Sequence, residues 1–381
     1  MQENRISKIE RATGRSMADL MSFLAITPVL IEHIGMPDDD TMIAKESRRR
    51  KEILAGAPLS EAEHLHHRLS VEFETRLNAL DNGYIYIVAD FTRDDLSSPE
   101  AIAGTINGRY AKYAPPDDPG RISEETAIDL HESEASFCTQ LMPLDFDDDL
   151  MHPTRLVIPE MISLSLEENI SDRILAPFSV CPLIPHEVFC RLSLHHEGSG
   201  HGTDENFIQH FRHDAANDEL RADIASLIGT IRDTGDFAAA KTCIFARDLA
   251  ALRTTAFEGK TTHDTTKYAI GPELRRAFNR ISKTPDIRNL CDRGIIALTD
   301  QVFSSLKFDK GSYSARQSAL RNAWKLICDT KNGSRDTLER LAPERLASAT
   351  DILENCMEAH GFFFTPEAPR PKPATPAPRP W

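Results

Sequence analysis

The sequence predicts an α+β fold that is mainly α-helical and carries a small β-sheet. From residue 184 to the proline-rich C-terminus, apolar residues recur at helical spacing, which is typical of successive amphipathic helices. Before them, Asn82-Gly83 leads into YIYIVAD, residues 84–90, and a turn followed by aromatic and β-branched residues predicts a strand. Of the 381 residues, 40% are hydrophobic and 27% are charged, so a globular chain is expected.

Three regions are predicted along the chain. Residues 1–40 are interpreted as a helical segment that ends in an acidic break, and residues 41–364 as a single domain. Residues 365–381 contain seven prolines. A segment of this composition forms no core, so it is expected to be an extended, disordered tail.

Before the strand, Ser60 and Glu63 form a capping box, which predicts the start of an amphipathic helix. The histidines of HLHH, residues 64–67, are interpreted as the solvated face of that helix. Residues 91–150 are expected to be acidic and loop-rich, and RLVIPEMISLSL, residues 155–166, is expected to hold a second strand.

The C-terminal half is predicted to be helical throughout. The apolar spacing predicts helices at about 185–201, 216–233, 236–256, 271–281, 286–306, 314–330 and 335–358.

Charge and cysteine content narrow the partners and the compartment. The formal net charge of −15 argues against nucleic acid and against anionic membranes, because both require a basic surface. The apolar run at residues 20–31 is too short to cross a bilayer. Seven cysteines without a C-x-x-C pair indicate free thiols in a reducing compartment, so we expect a cytoplasmic protein.

The stretch HHEGSGHG, residues 195–202, is the candidate for chemistry. In the H-E-x-x-H pattern, one helix supplies two zinc-binding histidines, and the glutamate between them serves as the general base. Here the histidines that follow this logic are His196 and His201, with Glu197 as the base. Their separation is five residues instead of four.

The extra residue predicts a local irregularity of the helix. Positions five apart lie about 140° apart around an α-helix, so these histidines share one ion only if a π-type turn realigns them. Gly198 and Gly200 are expected to ease that turn because glycine tolerates unusual backbone angles. A phosphate-binding glycine loop and a metal-free polar turn are the alternative interpretations.

The third metal ligand is expected from NDELRAD, residues 217–223. Glu219 and Asp223 are four residues apart and therefore share a helix face. Glu219 can then point to the metal, while Asp223 can accept the ring N–H of a ligating histidine. Asp218 is expected to support the site in the same way.

These two stretches carry a family resemblance. HEGSGHG resembles the H-E-x-x-G-H motif of the dipeptidyl peptidase III family of zinc peptidases, which has the same spacing and the same flanking glycines. DELRAD is similar to that family's E-E-C-R-A-E motif and to the N-E-x-x-x-D motif of thermolysin-like gluzincins. The resemblance implies a zincin-like pair of active-site helices. It also implies a role for each matched residue: zinc ligands His196, His201 and Glu219, water activation by Glu197, a supporting Asp218, and Asp223 orienting a ligand histidine.

The resemblance covers residues 196–223 only. The two motifs lie closer together than in dipeptidyl peptidase III, and the chain is shorter than that enzyme. The resemblance therefore concerns the metal site and not the dipeptide-releasing specificity.

Other residues complete the candidate site. An oxyanion stabiliser is expected in TTHDTTKYA, residues 261–269, where His263 and Tyr268 are the candidates. His195 is interpreted as a polar neighbour of the ligands. His210 and His213 with Glu219 would form a rival metal triad, without a base. Arg221 or Arg247 could bind a substrate carboxylate, although a buried salt bridge is the expected role.

Two functions follow from the sequence. The first is a zinc-dependent metallohydrolase, namely a peptidase with Zn²⁺ as cofactor. Its peptide or protein substrate would lie along the edge of the small sheet that includes residues 84–90. The second is a non-catalytic, zincin-like binding or regulatory protein. In that case the P-x-x-P spacings of the tail, Pro366 to Pro369 and Pro373 to Pro376, would recruit an SH3-like partner.

Overall fold

The chain is mainly helical and carries one small sheet, which confirms the predicted fold class. The computed structural model describes residues 2–14, 51–90, 92–115, 121–132, 137–141, 154–158, 186–204, 212–237 and 267–359, together with isolated positions at 16–18, 20–21, 24, 48–49 and 240. The proline-rich tail, most of the predicted helix at 236–256, and Arg247 lie outside the described residues.

The described helices follow one another along the chain. The first six are α1 (Gln2–Thr13), α2 (Glu61–Asn78), α3 (Pro99–Tyr113), α4 (Glu124–Glu132), α5 (His186–Leu194) and α6 (Arg212–Thr234). A π-helix, His195–His201, continues directly from α5. The later helices are α7 (Gly271–Ile281), α8 (Asp292–Ser304), α9 (Lys310–Lys331), α10 (Asp336–Arg340) and α11 (Pro343–Ala359).

Helix α2 begins where the capping box predicts. The side chain of Ser60 accepts from the backbone N–H of Glu63 at 3.2 Å, and the Glu63 carboxylate accepts from the N–H of Ser60 at 2.7 Å. The Arg49 side chain donates to both carboxylate oxygens of Glu63. These hydrogen bonds, first that of Arg49 and then those of Ser60, outweigh burial and lower the pKa of Glu63 to about 2.

The interpretation of HLHH as a solvated face is wrong for one of its histidines. His66 is fully buried, and its Nδ1 lies 2.9 Å from Oδ2 of Asp90. His64 is exposed on the opposite side of the helix. The sequence pattern places His66 on the face that also carries Leu69 and Phe73, which are buried in the core.

Within the described residues, the sheet has three strands: β1 (Ile85–Val88), β2 (Phe137–Leu141) and β3 (Thr154–Ile158). They lie in the order β1-β3-β2, with β3 parallel to β1 and antiparallel to β2. The predicted strands at 84–90 and 155–166 correspond to β1 and β3.

The prediction that residues 91–150 are mostly loop is wrong for the described part, which contains α3, α4 and β2. Ser98 caps α3 and is followed by Pro99 at the first turn, a combination that favours helix initiation. Ile102, Ile106 and Tyr110 recur every four residues and are buried against the sheet. The acidic residues of this region obscure that apolar spacing in the sequence.

Strand β1 is closed along its outer edge by side chains of α2. The Asn78 side chain accepts from the N–H of Tyr86 at 3.0 Å and donates to its carbonyl at 2.7 Å. Oε2 of Glu74 accepts from the N–H of Val88 at 3.1 Å, and Arg93 donates to the Val88 carbonyl at 2.9 Å. This edge of the sheet is therefore closed to strand addition, because its backbone groups are already bonded. The expected strand addition of a peptide stays a prediction for the other edge, which β2 forms.

Helix α6 lies at the centre of the fold. Every residue from Leu220 to Ile231 is buried, because α5 and the π-helix pack on one side while α7 and α8 pack on the other. The helix ends at Gly235, which has φ +75 and donates its N–H to the Ile231 carbonyl at 2.8 Å. This glycine cap is typical of helix C-termini.

Two C-terminal helices depart from the predicted bounds. The predicted helix at 335–358 is two helices, because the backbone at Leu341 is extended and Pro343 opens a new helix. The predicted helix at 286–306 starts only at Asp292, after a short 3₁₀ turn. In contrast, α7 has the predicted bounds, 271–281.

The N-terminal segment packs on the C-terminal helices. Ile9 of α1, together with Leu20 and Leu24, is buried in one cluster with residues of α9 and α11. Among the described residues, no helix combines the length and the apolar character that crossing a membrane requires.

Candidate metal centre

The two histidines of the motif are brought together by a π-helix. The N–H of Gly202 donates to the carbonyl of Glu197 at 2.8 Å, a bond across five residues. The ring centroids of His196 and His201 lie 4.8 Å apart at an interplanar angle of 86°. The prediction of a π-type turn is confirmed, and the turn removes the misalignment that a straight helix imposes at this spacing.

The glycines of the turn are required by close packing. A Cβ on Gly200 would lie 2.4 Å from Cα of Ala222, and one on Gly198 would lie 2.3 Å from Cε1 of Phe73. Neither glycine has a positive φ. The expectation that they supply unusual backbone angles is therefore wrong; they allow the π-helix to lie directly against α6 and α2.

Helix α6 contributes the third side chain of the centre. His196, His201 and Glu219 each offer a ligand atom, and these atoms all lie within 4.8 Å of one another. Nε2 of His196 is 3.6 Å from Oε2 of Glu219. The structure thus brings together the three residues that the sequence predicts as metal ligands.

Asp223 holds the His196 ring. Its Oδ1 lies 2.9 Å from Nδ1 of His196, and its side chain is buried. A carboxylate at this position selects the tautomer with the proton on Nδ1. The lone pair of Nε2 then points toward Glu219 and the centre of the cluster.

The cluster suits zinc. Two imidazole nitrogens and one carboxylate oxygen form a known ligand set of catalytic zinc, and bonds of about 2.0–2.1 Å place tetrahedral ligand atoms roughly 3.3–3.5 Å apart. The 3.6 Å between His196 Nε2 and Glu219 Oε2 is close to this separation.

Glu197 lies beside the cluster without joining it. Its Oε1 is 3.9 Å from Nε2 of His196, and the residue is 8% exposed. Among the described residues, its carboxylate does not belong to the set of atoms within 4.8 Å of one another. This position suits a proton acceptor next to the ion better than a fourth ligand.

The other residues that the sequence predicts for the site lie in different places. Asp218 is half-buried on α6, next to Glu219. Tyr268 is half-buried and packs against the cluster formed by α1, α9 and α11. His263 and His210 lie outside the described residues, as does the side chain of His213, so the rival triad stays a prediction. Arg221 donates to the carbonyl of Gly200 and pairs with Asp300, as a structural salt bridge would.

His195 is a polar neighbour of the ligands, as predicted. The ring is fully buried, with Nδ1 3.0 Å from Oγ of Ser199 and Nε2 3.0 Å from Oδ2 of Asp233. It packs edge-on against Phe73, with ring centroids 4.9 Å apart. Burial lowers the pKa of the imidazole. The ring therefore ties the π-turn to α6 and does not face the metal cluster.

Two residues that no sequence pattern marked also contribute to the centre. Oδ2 of Asp233, on α6, lies 2.8 Å from Arg191, 3.0 Å from His195 and 3.3 Å from Arg76. The carboxylate therefore connects α6 to α5, to the π-helix and to α2. Lys267 places Nζ 3.9 Å from Oε1 of Glu219. No spacing rule marks either residue; only the segment that contains Lys267 was expected to reach the site.

The Asp233 network predicts a specific loss of stability in acid. Burial opposes ionisation of Asp233, but the hydrogen bond from His195 and the charges around it lower the pKa to about 2. In the unfolded chain the pKa of an aspartate is about 3.9. Between pH 2 and this value, the unfolded chain therefore binds more protons than the folded one. Ionised Asp233 thus contributes about 2 kcal/mol to the free energy of unfolding above pH 5, and this contribution is lost as the pH falls toward 2.

Urea unfolding at pH 6 and pH 3 measures this effect. Asp233→Asn is expected to lose less stability between the two pH values than the wild type. Asp336→Asn, at an exposed position of α10, is the control and should behave as the wild type does. Equal pH dependence in all three proteins would contradict the assignment.

The centre thus combines a three-residue cluster, an oriented histidine and a neighbouring carboxylate on two packed helices. Comparison of the chain with protein-family models, with curated proteins and with solved structures finds no match.

Proposed function

We propose that this chain is a zinc-dependent metallohydrolase that cleaves peptide bonds. The observation that carries the proposal is the convergence of His196, His201 and Glu219, with the Glu197 carboxylate at its margin. A structural zinc site is normally closed by four protein ligands, whereas a catalytic one uses three and keeps a position open. The resemblance of the two motifs to zinc peptidases supports the same conclusion.

Each residue has a definite task in this proposal. His196, His201 and Glu219 hold the ion, and Asp223 keeps the His196 ring in the binding tautomer. Bound zinc supplies Lewis acidity toward water and the substrate carbonyl. Glu197 accepts the proton of the attacking water and later delivers it to the leaving amine.

A peptide substrate agrees with the charge and the fold. The net charge of −15 disfavours polyanionic substrates. The outer edge of β1 is closed, but β2 forms the other edge of the sheet and contacts the π-helix. An extended peptide that pairs with β2 would therefore pass next to the metal cluster. Cys190, Cys291 and Cys328 carry reduced thiols, which supports a cytoplasmic location.

Metal analysis of the purified protein tests the proposal. We expect one zinc per chain in the wild type and in Glu197→Ala, and less than a tenth of that in His196→Ala and Glu219→Ala. His64→Ala, on the exposed face of α2, is the matched histidine control and should retain zinc. A wild-type protein that carries no stoichiometric metal after zinc is supplied would refute the zinc site and the hydrolase together.

The second candidate is a zinc-containing binding protein that recruits partners through residues 365–381. The proline spacing of that tail favours an SH3-like partner. A zinc-loaded wild-type protein that hydrolyses no peptide, but binds such a domain through its tail, would favour this function over the hydrolase.

A further inference from the structure

Lys267 lies at the metal cluster, on the segment that leads into α7. Its Nζ is 3.9 Å from Oε1 of Glu219, while Oε2 of the same carboxylate faces His196. The ammonium group also lies 4.7 Å from the centroid of the Tyr268 ring. Two neighbours therefore hold the charge at the margin of the cluster, because an aromatic face attracts a cation at this distance.

The position of Lys267 differs from that of Arg221, a second cation close to the cluster. Arg221 is 5% exposed and bonds to the Gly200 carbonyl and Asp300, so it ties the π-helix to α6 and α8. The Lys267 side chain keeps 27% of its surface exposed. An ammonium group carries three N–H donors, so Lys267 can serve more than one acceptor at the same time.

We propose that Lys267 is a catalytic residue that stabilises the oxyanion formed during hydrolysis; this rests on the proposed function. When water attacks the substrate carbonyl, a C–O bond forms, the π pair moves onto the carbonyl oxygen, and Glu197 takes the water proton. The Lys267 ammonium donates to the resulting oxyanion. The pair then re-forms C=O as the C–N bond breaks, and the proton on Glu197 passes to the amine.

The sequence predicts His263 or Tyr268 as the residue that stabilises the oxyanion. In the present proposal, Lys267 has that role. Tyr268 packs against the helical core with its ring beneath the Lys267 ammonium, so it acts as a platform. Lys267, the residue before it, places its positive charge at the cluster. Fixed charges aimed at a developing oxyanion contribute about 100-fold or more to a rate.

Three measurements on the zinc-loaded protein test this role, using Lys267→Met, Lys267→Arg, and Lys283→Met as an exposed lysine control. We expect Lys267→Met to lower kcat/KM on a fluorogenic peptide library about 100-fold, and Lys267→Arg to restore part of it. We expect calorimetry to show a similar loss of affinity for N-phosphoryl-leucyl-phenylalanine, an anionic tetrahedral probe. Zinc affinity, measured by chelator competition, should not fall.

Three results would overturn the proposal. Unchanged hydrolysis and probe binding in Lys267→Met would remove the role. A tenfold loss of zinc affinity would mean that Lys267 acts through Glu219. A loss confined to peptides with a free C-terminal carboxylate, absent for amidated ones, would assign it to terminus binding. A wild-type protein that binds zinc and the probe but cleaves no peptide would contradict the proposed function and not the role of Lys267. In that case the effect of Lys267→Met on probe binding still tests whether Lys267 contacts the anionic group.

Discussion

Replacing Glu197 with glutamine is expected to lower peptide hydrolysis about 1,000-fold while zinc stays at one per chain. The amide has the shape of the carboxylate but cannot accept the proton of the attacking water. Because Oε1 of Glu197 lies 3.9 Å from His196 Nε2 and outside the cluster of ligand atoms, the ion does not depend on it. Initial rates on the peptide library, with zinc measured on the same samples, give both quantities.

The matched control is Glu187→Gln, the same substitution ten positions earlier on α5. The Glu187 side chain is 45% exposed and pairs with Arg191 at 2.9 Å. It should retain wild-type activity and metal. Loss of zinc in Glu197→Gln would make Glu197 a ligand, and full activity with zinc bound would remove it from the mechanism.

Replacing Gly200 with alanine is expected to destabilise the fold by about 3 kcal/mol and to weaken zinc binding at least about tenfold. The new Cβ would lie 2.4 Å from Cα and 2.8 Å from Cβ of Ala222, and neither the π-helix nor α6 offers a flexible side chain that could yield. The π-helix must then move away from α6, which separates His196 and His201 from Glu219. Thermal unfolding and chelator competition measure the two effects.

Gly104→Ala is the control for this substitution. Gly104 lies inside α3 with nothing within 4 Å of the added Cβ, so alanine should stabilise the protein by about 0.5–1 kcal/mol through its helix propensity. If Gly200→Ala also left stability and zinc affinity unchanged, the close packing of the two helices would not be what holds the ligands together.

The site was largely predictable because its signals are local. His196 and His201 lie within one turn, and a five-residue spacing can be reconciled with one ion only by a π-type turn, which the structure contains. Glu219 and Asp223 follow on the next helix, where a spacing of four selects one face. Helix α2 was predictable for the same reason, since Ser60 and Glu63 are three residues apart.

The contacts that the sequence did not predict at the site and around His66 join distant segments. A buried histidine needs a hydrogen-bond partner, and the partner of His66 is Asp90, which is 24 residues away. Without sight of that partner, the sequence suggests a solvated histidine even though the spacing of His66 is that of a buried position. Lys267 reaches Glu219 across 48 positions of the chain. The reason for glycine at Gly200 is Ala222, on another helix. Ligands that share a turn leave a local pattern in the sequence, whereas residues that other elements bring to them leave none.

The edge closure of β1 has a consequence for the order of folding. Asn78 reaches Tyr86 across eight residues, and Glu74 reaches Val88 across fourteen. Contacts this close in sequence form with little loss of chain entropy, so we expect α2 and β1 to associate early. The same helix presents Phe73 and Leu77 to Gly198. An early α2–β1 unit would thus provide the apolar surface against which the π-helix packs.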